Sequence, residues 1–245
     1  MSTTAPPGEP GLGVPLGEEA SLRGVDLGGR KLSCISLRGA DLTGAVLRDV
    51  SFEHVDLRDV CLVDSDLSGS RLRWCNARGA RLDGASAPRV HWDQVDFTLA
   101  SLQRVNLASS LLSSCVFEDA DLSGVDLRHG KLVHSNCDRA RFADAECQGA
   151  ITPASTFGAA DLRSTRHFAR CREMVAEVLS RHAGESFELN ALVGAVAVNG
   201  RWCYDEWAHF LASRPDVVQR ALDAFTDHPR SGFAESLRRA LRPPR

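Results

Sequence analysis

Cysteine, histidine and clustered carboxylates are the side chains through which this chain could do chemistry. Eight cysteines and eight histidines lie among its 245 residues. No two cysteines form the C-x-x-C pair that zinc sites and redox dithiols use. His167 and Cys171 are four residues apart, so on a helix they share a face and with Cys203 could supply three metal ligands. Two ordinary helical faces explain them equally well. Cys137 and Cys147 are ten residues apart and read as core fillers, since a free cysteine behaves as a small hydrophobe. His54 and His134 are too far apart in the repeat described below to cooperate. No glycine-rich phosphate loop, nucleophile elbow or paired-acid motif stands out. The expectation is a chain with no catalytic residue, no metal and no cofactor, hence not an enzyme. Its thiols are expected to be buried and reduced, in the cytoplasm.

The elements that carry these residues follow from a period of five. Written in blocks from Ala20, ASLRG VDLGG RKLSC ISLRG ADLTG, the phase holds through ADLRS at 160–164, which makes 29 blocks. The third residue is Leu in 18 blocks and Phe in 5; the exceptions are Ala77, Ala87, Trp92, Cys137, Cys147 and Thr152. A period of five fits neither a helix nor a strand. It fits a backbone that turns a corner every five residues, with positions one and three inward and positions two, four and five toward water. Glycine recurs at position five (Gly24, Gly29, Gly39), where a tight turn favours positive φ.

On these residues the chain resembles the pentapeptide-repeat family, whose motif is A-[D/N]-L-x-x. The resemblance implies an all-β, right-handed, four-sided β-helix of about seven coils, four blocks to a coil. At the spacing of neighbouring strands that is a rod of roughly 34 Å. Leu42, Phe52, Trp92, Phe97, Leu107 and Phe117 are its expected core. In the coil 80–99, Ala87 makes room for Trp92.

Three regions are expected: a Pro/Gly-rich disordered tail over 1–19, the solenoid over 20–164, and a small helical domain over 165–245 that covers the apolar end of the stack. In the last, the spacing of Phe168, Cys171, Val175, Val178 and Leu179 predicts a helix stopping at Gly184. Further helices are predicted from Phe187 to Asn199-Gly200, from Trp202 to Leu211, from Ser213-Pro215 to Phe225, and over Phe233–Leu241. No apolar run is long enough to span a membrane, and the N-terminus lacks a signal pattern.

Every fourth block shares a side. On the side that starts at Arg30, five Lys or Arg face two acids. This basic side holds Lys31, Arg71, Arg73, Trp74, His91 and Lys131, with His54. The sides that start at Val25 and Ile35 are mildly acidic, with three bases to five acids and four to six. They hold Asp26, Asp66 and Asp126 on the one, and Asp56, Asp96, Glu118 and Asp119 on the other. The net charge of −3 argues against a generic polyanion binder.

The family resemblance implies a non-enzymatic binding protein, in its most specific form one that shields DNA gyrase or topoisomerase IV from poisons by imitating duplex DNA. The acidic sides would then meet the partner. A scaffold for other proteins, unconnected with DNA, is the alternative. Direct binding of nucleic acid rests on the basic side alone and is not the leading expectation. A homodimer stays open.

Overall fold

The computed structural model describes residues 16–198 and 214–241. Six three-residue strands, β1 (Lys31–Ser33), β2 (Ser51–Glu53), β3 (Arg71–Arg73), β4 (His91–Asp93), β5 (Leu111–Ser113) and β6 (Lys131–Val133), form one parallel sheet in chain order. Each pairs with the strand twenty residues on: Leu32 faces Phe52, Leu72 faces Trp92, Leu112 faces Leu132. A single bridge, Lys131 to Ile151, adds a seventh rung. The other three sides are ladders of such single bridges, beginning Ser21 to Asp41, Asp26 to Val46 and Ser36 to Asp56. The fold is a parallel β-solenoid with four blocks per coil, followed by helices.

The block repeats because its backbone donors are assigned by position. At position two, Asp41 N–H donates to Ala20 O in the coil before (2.9 Å). At positions three and five, Leu22 N–H and Gly24 N–H donate to Asp41 O and Thr43 O in the coil after (2.7 and 2.9 Å). At position one, Val25 N–H closes the corner onto Leu22 O (3.2 Å). Position four is left over, and the side chain of position two takes it: Thr43 N–H donates to Asp41 Oδ1 at 3.0 Å. Thr98 on Asp96 and Ser123 on Asp121 repeat this Asx turn. It recurs on the first, second and fourth sides. The third side carries the strands instead, and its position two is never an acid: Lys31, Ser51, Arg71, His91, Leu111, Lys131, Ile151.

Sending the position-five N–H along the rod axis requires a left-handed residue. All 29 position-five residues from Gly24 to Ser164 have positive φ, and 20 of them are not glycine. Glycine therefore follows the corner rather than making it. The geometry also outruns the sequence pattern: Glu19 has φ 52° and donates to Arg38 O at 2.8 Å, and Glu146 still bridges Arg166. At Gly84, φ is +71° and an added Cβ would meet Asp64 Oδ1. Replacing it by Val is expected to cost about 1–3 kcal/mol, and by Asn far less, because Asn enters the left-handed region readily. The shift of the urea midpoint checks this.

Leu42, Phe52, Trp92, Phe97, Leu107 and Phe117 are all at most 1% exposed. Trp92 packs on Phe97 with centroids 4.7 Å apart, and Phe97 stacks on Phe117 at 5.3 Å. Ala77 and Ala87 are buried as well. Each large side chain so buried contributes about 1.5–3 kcal/mol.

Past Arg166, a 3₁₀ turn (Phe168–Arg170) leads into α1 (Arg172–Ala183), α2 (Phe187–Val198), α3 (Pro215–Ala224) and α4 (Phe233–Ala240). Gly184 ends α1 with φ 49°, and Pro215 opens α3. The predicted first helix starts later than its spacing suggests. Cys171 is the residue before α1, with φ −83° and ψ 82°, because Phe168 is turned into the end of the solenoid. The helix predicted over Trp202–Leu211, with Cys203 and Ser213, lies outside the described residues.

The last coil has no coil above it, so its axial donors need other partners. Helix α1 supplies them. Ala154 N–H and the Thr152 hydroxyl donate to Glu173 (3.2 and 2.7 Å), and Ala159 N–H donates to Glu177 (3.0 Å). Arg181 donates to Ala160 O (2.6 Å), and the His228 ring bonds Leu162 O (3.0 Å). Over the apolar end lie Phe168, Val175, Val178, Leu179, Phe225 and Phe233, all buried.

Candidate binding faces

Five of the cysteines, Cys75, Cys115, Cys137, Cys147 and Cys171, are buried as expected, but Cys61 is half-buried and Cys34, at an outward position five, is exposed. Cys137 and Cys147 are fully buried core residues, and burial pushes the Cys137 thiol well up. Burial likewise lifts Cys115 to about 12. Cys75 and Cys115 stand at position one of the fourth side, where their sulfurs approach Phe52 O and Trp92 O in the preceding coil (3.7 and 3.6 Å). His167 and Cys171 part company: the His167 ring is on Glu146 (2.8 Å), while the Cys171 sulfur approaches Ala150 O (3.6 Å). Among the described residues no group of three His, Cys, Asp or Glu could hold a metal ion. A polar depression of about 390 Å³ near the first coil is lined by Glu18, Glu19, Arg38, Gly39 and Asp59, of mixed charge.

The acidic sides are less free than their composition suggests. Asp26, Asp56, Asp66, Asp96 and Asp126 each accept the N–H two residues on (2.9–3.1 Å), so the carboxyl is part of the turn. Most also meet an arginine. Arg58 is on Asp56 (2.9 Å), Arg128 on Asp126 (2.9 Å) and Arg48 on Asp66. Glu118 and Asp119 share Arg139, with Asp119 at 2.8 Å. The Arg58 side chain holds the Asp56 carboxyl below its ordinary range, as Arg139 does for Asp119. Burial would raise Asp66 and Asp126, but their turn donors and arginines outweigh it and hold both low. Of the seven acids, Asp26 and Asp96 carry no ion pair among the described residues.

The basic side is brought together in its middle. Arg71 pairs in register with His91, and Arg73 with Asp93, on adjacent strands. The Arg73 guanidinium lies 4.2 Å over the Trp74 ring. On Trp74 stacks His54 of the preceding coil, centroids 4.8 Å apart and planes 16° from parallel. Lys31 and Lys131 stand on the same column, two coils before Arg71 and three after. Two carboxylates interleave: Glu53 on Lys31 (3.0 Å) and, more loosely, Asp93 on Arg73 (3.8 Å). The His54–Trp74 stack and the corner residue Arg89 had no place in the sequence reading. The signal was available, since residues twenty apart share a column.

A parallel β-solenoid whose side chains of consequence all lie on its outer faces defines a repeat protein of the binding class. The repeats are pentapeptide repeats: the family model of that description matches eight copies over residues 20–59, 65–91 and 120–151. Such proteins are generally non-enzymatic and act by binding. No curated protein matches the sequence. Among solved structures, HetL, involved in heterocyst differentiation regulation in the cyanobacterium Nostoc, is 26% identical, with 60% of this chain and 80% of that one covered and a TM-score of 0.29. QnrB1, a plasmid-mediated fluoroquinolone resistance protein, is 14% identical over 58% of this chain and 77% of its own, TM-score 0.36. A pentapeptide repeat protein of the Arabidopsis thaliana thylakoid lumen is 17% identical over 60% and 67%, TM-score 0.29. No helix among the described residues is long and apolar enough to cross a membrane.

Proposed function

We propose that this chain is a non-enzymatic binding rod whose partner is another protein, with a type II topoisomerase, DNA gyrase or topoisomerase IV, as the specific partner. The observation that supports the reading is the solenoid itself, a rod with two acidic columns held at fixed coil spacing. Electrostatic contact with the basic DNA-binding surface of such an enzyme would be sensitive to salt.

One refinement follows from the turns. Replacing Asp56 and Asp96 by arginine, which outward side chains would seem to allow, also removes the acceptor for Arg58 N–H and Thr98 N–H. Asp56→Asn with Asp96→Asn keeps the Oδ1 acceptor and removes only the charge. Purified protein is expected to alter supercoiling by gyrase of the native host, or to reduce drug-induced cleavage, at micromolar concentration or below. The double variant is expected to weaken the effect at an unchanged melting temperature. Absence of any effect on both enzymes would leave the rod as a scaffold for other partners.

A further inference from the structure

The third side differs from the other three in backbone, and the difference governs its charge. Where an Asx turn is made, position two must carry an acceptor, and the rod places Asp, Asn or Ser there. On the third side the position-four residue lies inside a strand, as Ser33 and Arg73 do, so position two is released from that duty. Cations occupy it. On the acidic sides five of the seven arginines lie against a carboxylate, Arg78 and Arg89 being the exceptions among the described residues. On the third side Arg71 and Lys131 have no such partner among the described residues, nor has Arg89, which closes the second side at its corner with the third.

Next to Arg71 stands an ordered, exposed aromatic stack. Trp74 is 37% exposed, His54 lies against its ring, and the Arg73 guanidinium covers it at 4.2 Å. An exposed tryptophan held in a preformed stack contributes contact area at little further cost in side-chain entropy. We infer that the third side binds single-stranded nucleic acid, with phosphates on Arg71, on Lys131 and on Arg89 at the corner it shares with the second side, and an unpaired base laid on the His54–Trp74–Arg73 stack. Cations alone would suit an acidic protein equally. The stack is what favours a base, because every nucleobase offers a planar face to an aromatic ring or a guanidinium, and a carboxylate offers none. A duplex hides those faces, so the strand must be single.

The test uses the full chain and a fluorescein-labelled fifteen-residue oligouridylate, followed by anisotropy. Binding is expected at 50 mM salt. With about three phosphates engaged, raising salt to 200 mM should weaken it roughly tenfold to twentyfold. Arg71→Ala with Lys131→Ala should weaken binding at least about tenfold and flatten the salt dependence. Trp74→Ala should weaken it without changing that slope, which separates stacking from charge. All three side chains point outward, so melting temperatures should match the parent protein. Polyglutamate at equal charge should compete at least about tenfold less well than unlabelled oligouridylate. No binding at 50 mM salt, binding indifferent to these substitutions, or polyglutamate competing equally would each overturn the inference, the last in favour of an acidic protein.

Discussion

Leu107→Asp is expected to abolish folding of the rod, while Ser109→Asp, two residues away, leaves the melting temperature nearly unchanged. Leu107 is wholly buried on the inner face of the second side, its N–H on Asp126 O (2.8 Å) and its O taken by Ser110 N–H (3.2 Å). A carboxylate there has no partner. Losing the leucine alone costs about 2–5 kcal/mol, and burying an unpaired charge adds several more. The sum is comparable to the roughly 5–15 kcal/mol that hold a whole domain together. Ser109 occupies position five, exposed, with φ 59°, a conformation aspartate accepts readily. Circular dichroism with thermal melting reads both variants. Equal melting temperatures would mean that positions three and five do not differ in burial, and the fivefold register would fall.

The second large effect is expected at the closed end. Glu173→Ala with Glu177→Ala removes the acceptors of Ala154 N–H, Ala159 N–H and the Thr152 hydroxyl, and frees Arg181 from Glu177 (2.9 Å). Ala154 and Ala159 are exposed, so water takes over their N–H groups, and only the buried Thr152 hydroxyl bears the cost of about 1–3 kcal/mol for an unpaired donor. The helices should loosen from the last coil before the coils melt, seen as earlier protease cleavage within residues 167–241 and a second thermal transition. Glu→Gln at both sites keeps an acceptor oxygen and should cost less.

His228 gives the same junction a dependence on pH. Burial, helped by Arg181 and His182, pushes its pKa below the ordinary histidine value, against the pull of Leu162 O and Asp227. The folded state therefore binds this proton less readily than the unfolded chain. The junction is at full strength above about pH 6.5 and weakens as pH falls from there through the lower folded value. His228→Gln should remove that part of the acid sensitivity. An unchanged profile would mean that the ring titrates alike in the folded and unfolded chain.

How much of this was legible beforehand differs by level. The period of five carried the coil and the inward Leu and Phe columns, because the distance between corners is a property of the backbone that the sequence must repeat. Gly184 and Pro215 marked helix ends because each acts through its own φ. The start of α1 was misplaced, since Phe168 and Cys171 answer to the solenoid end they pack against rather than to helical spacing. The faces were legible only as columns. Charge counts named the right residues for each side, yet gave no sign that Asp56 and Asp126 are tied to their own turns and arginines.

Residue order by itself determined that this is a five-residue solenoid with an apolar interior and four outward columns. Burial of one side chain per block is a demand that every block must meet alone. The tertiary structure alone decided that three sides are Asx-turned and one is stranded, and which charges remain unpaired. Those outcomes depend on neighbours twenty residues away and on whether each position-four N–H is satisfied by a side chain or by the preceding strand. A donor's choice between two competent acceptors is made in space and leaves little trace in any single block.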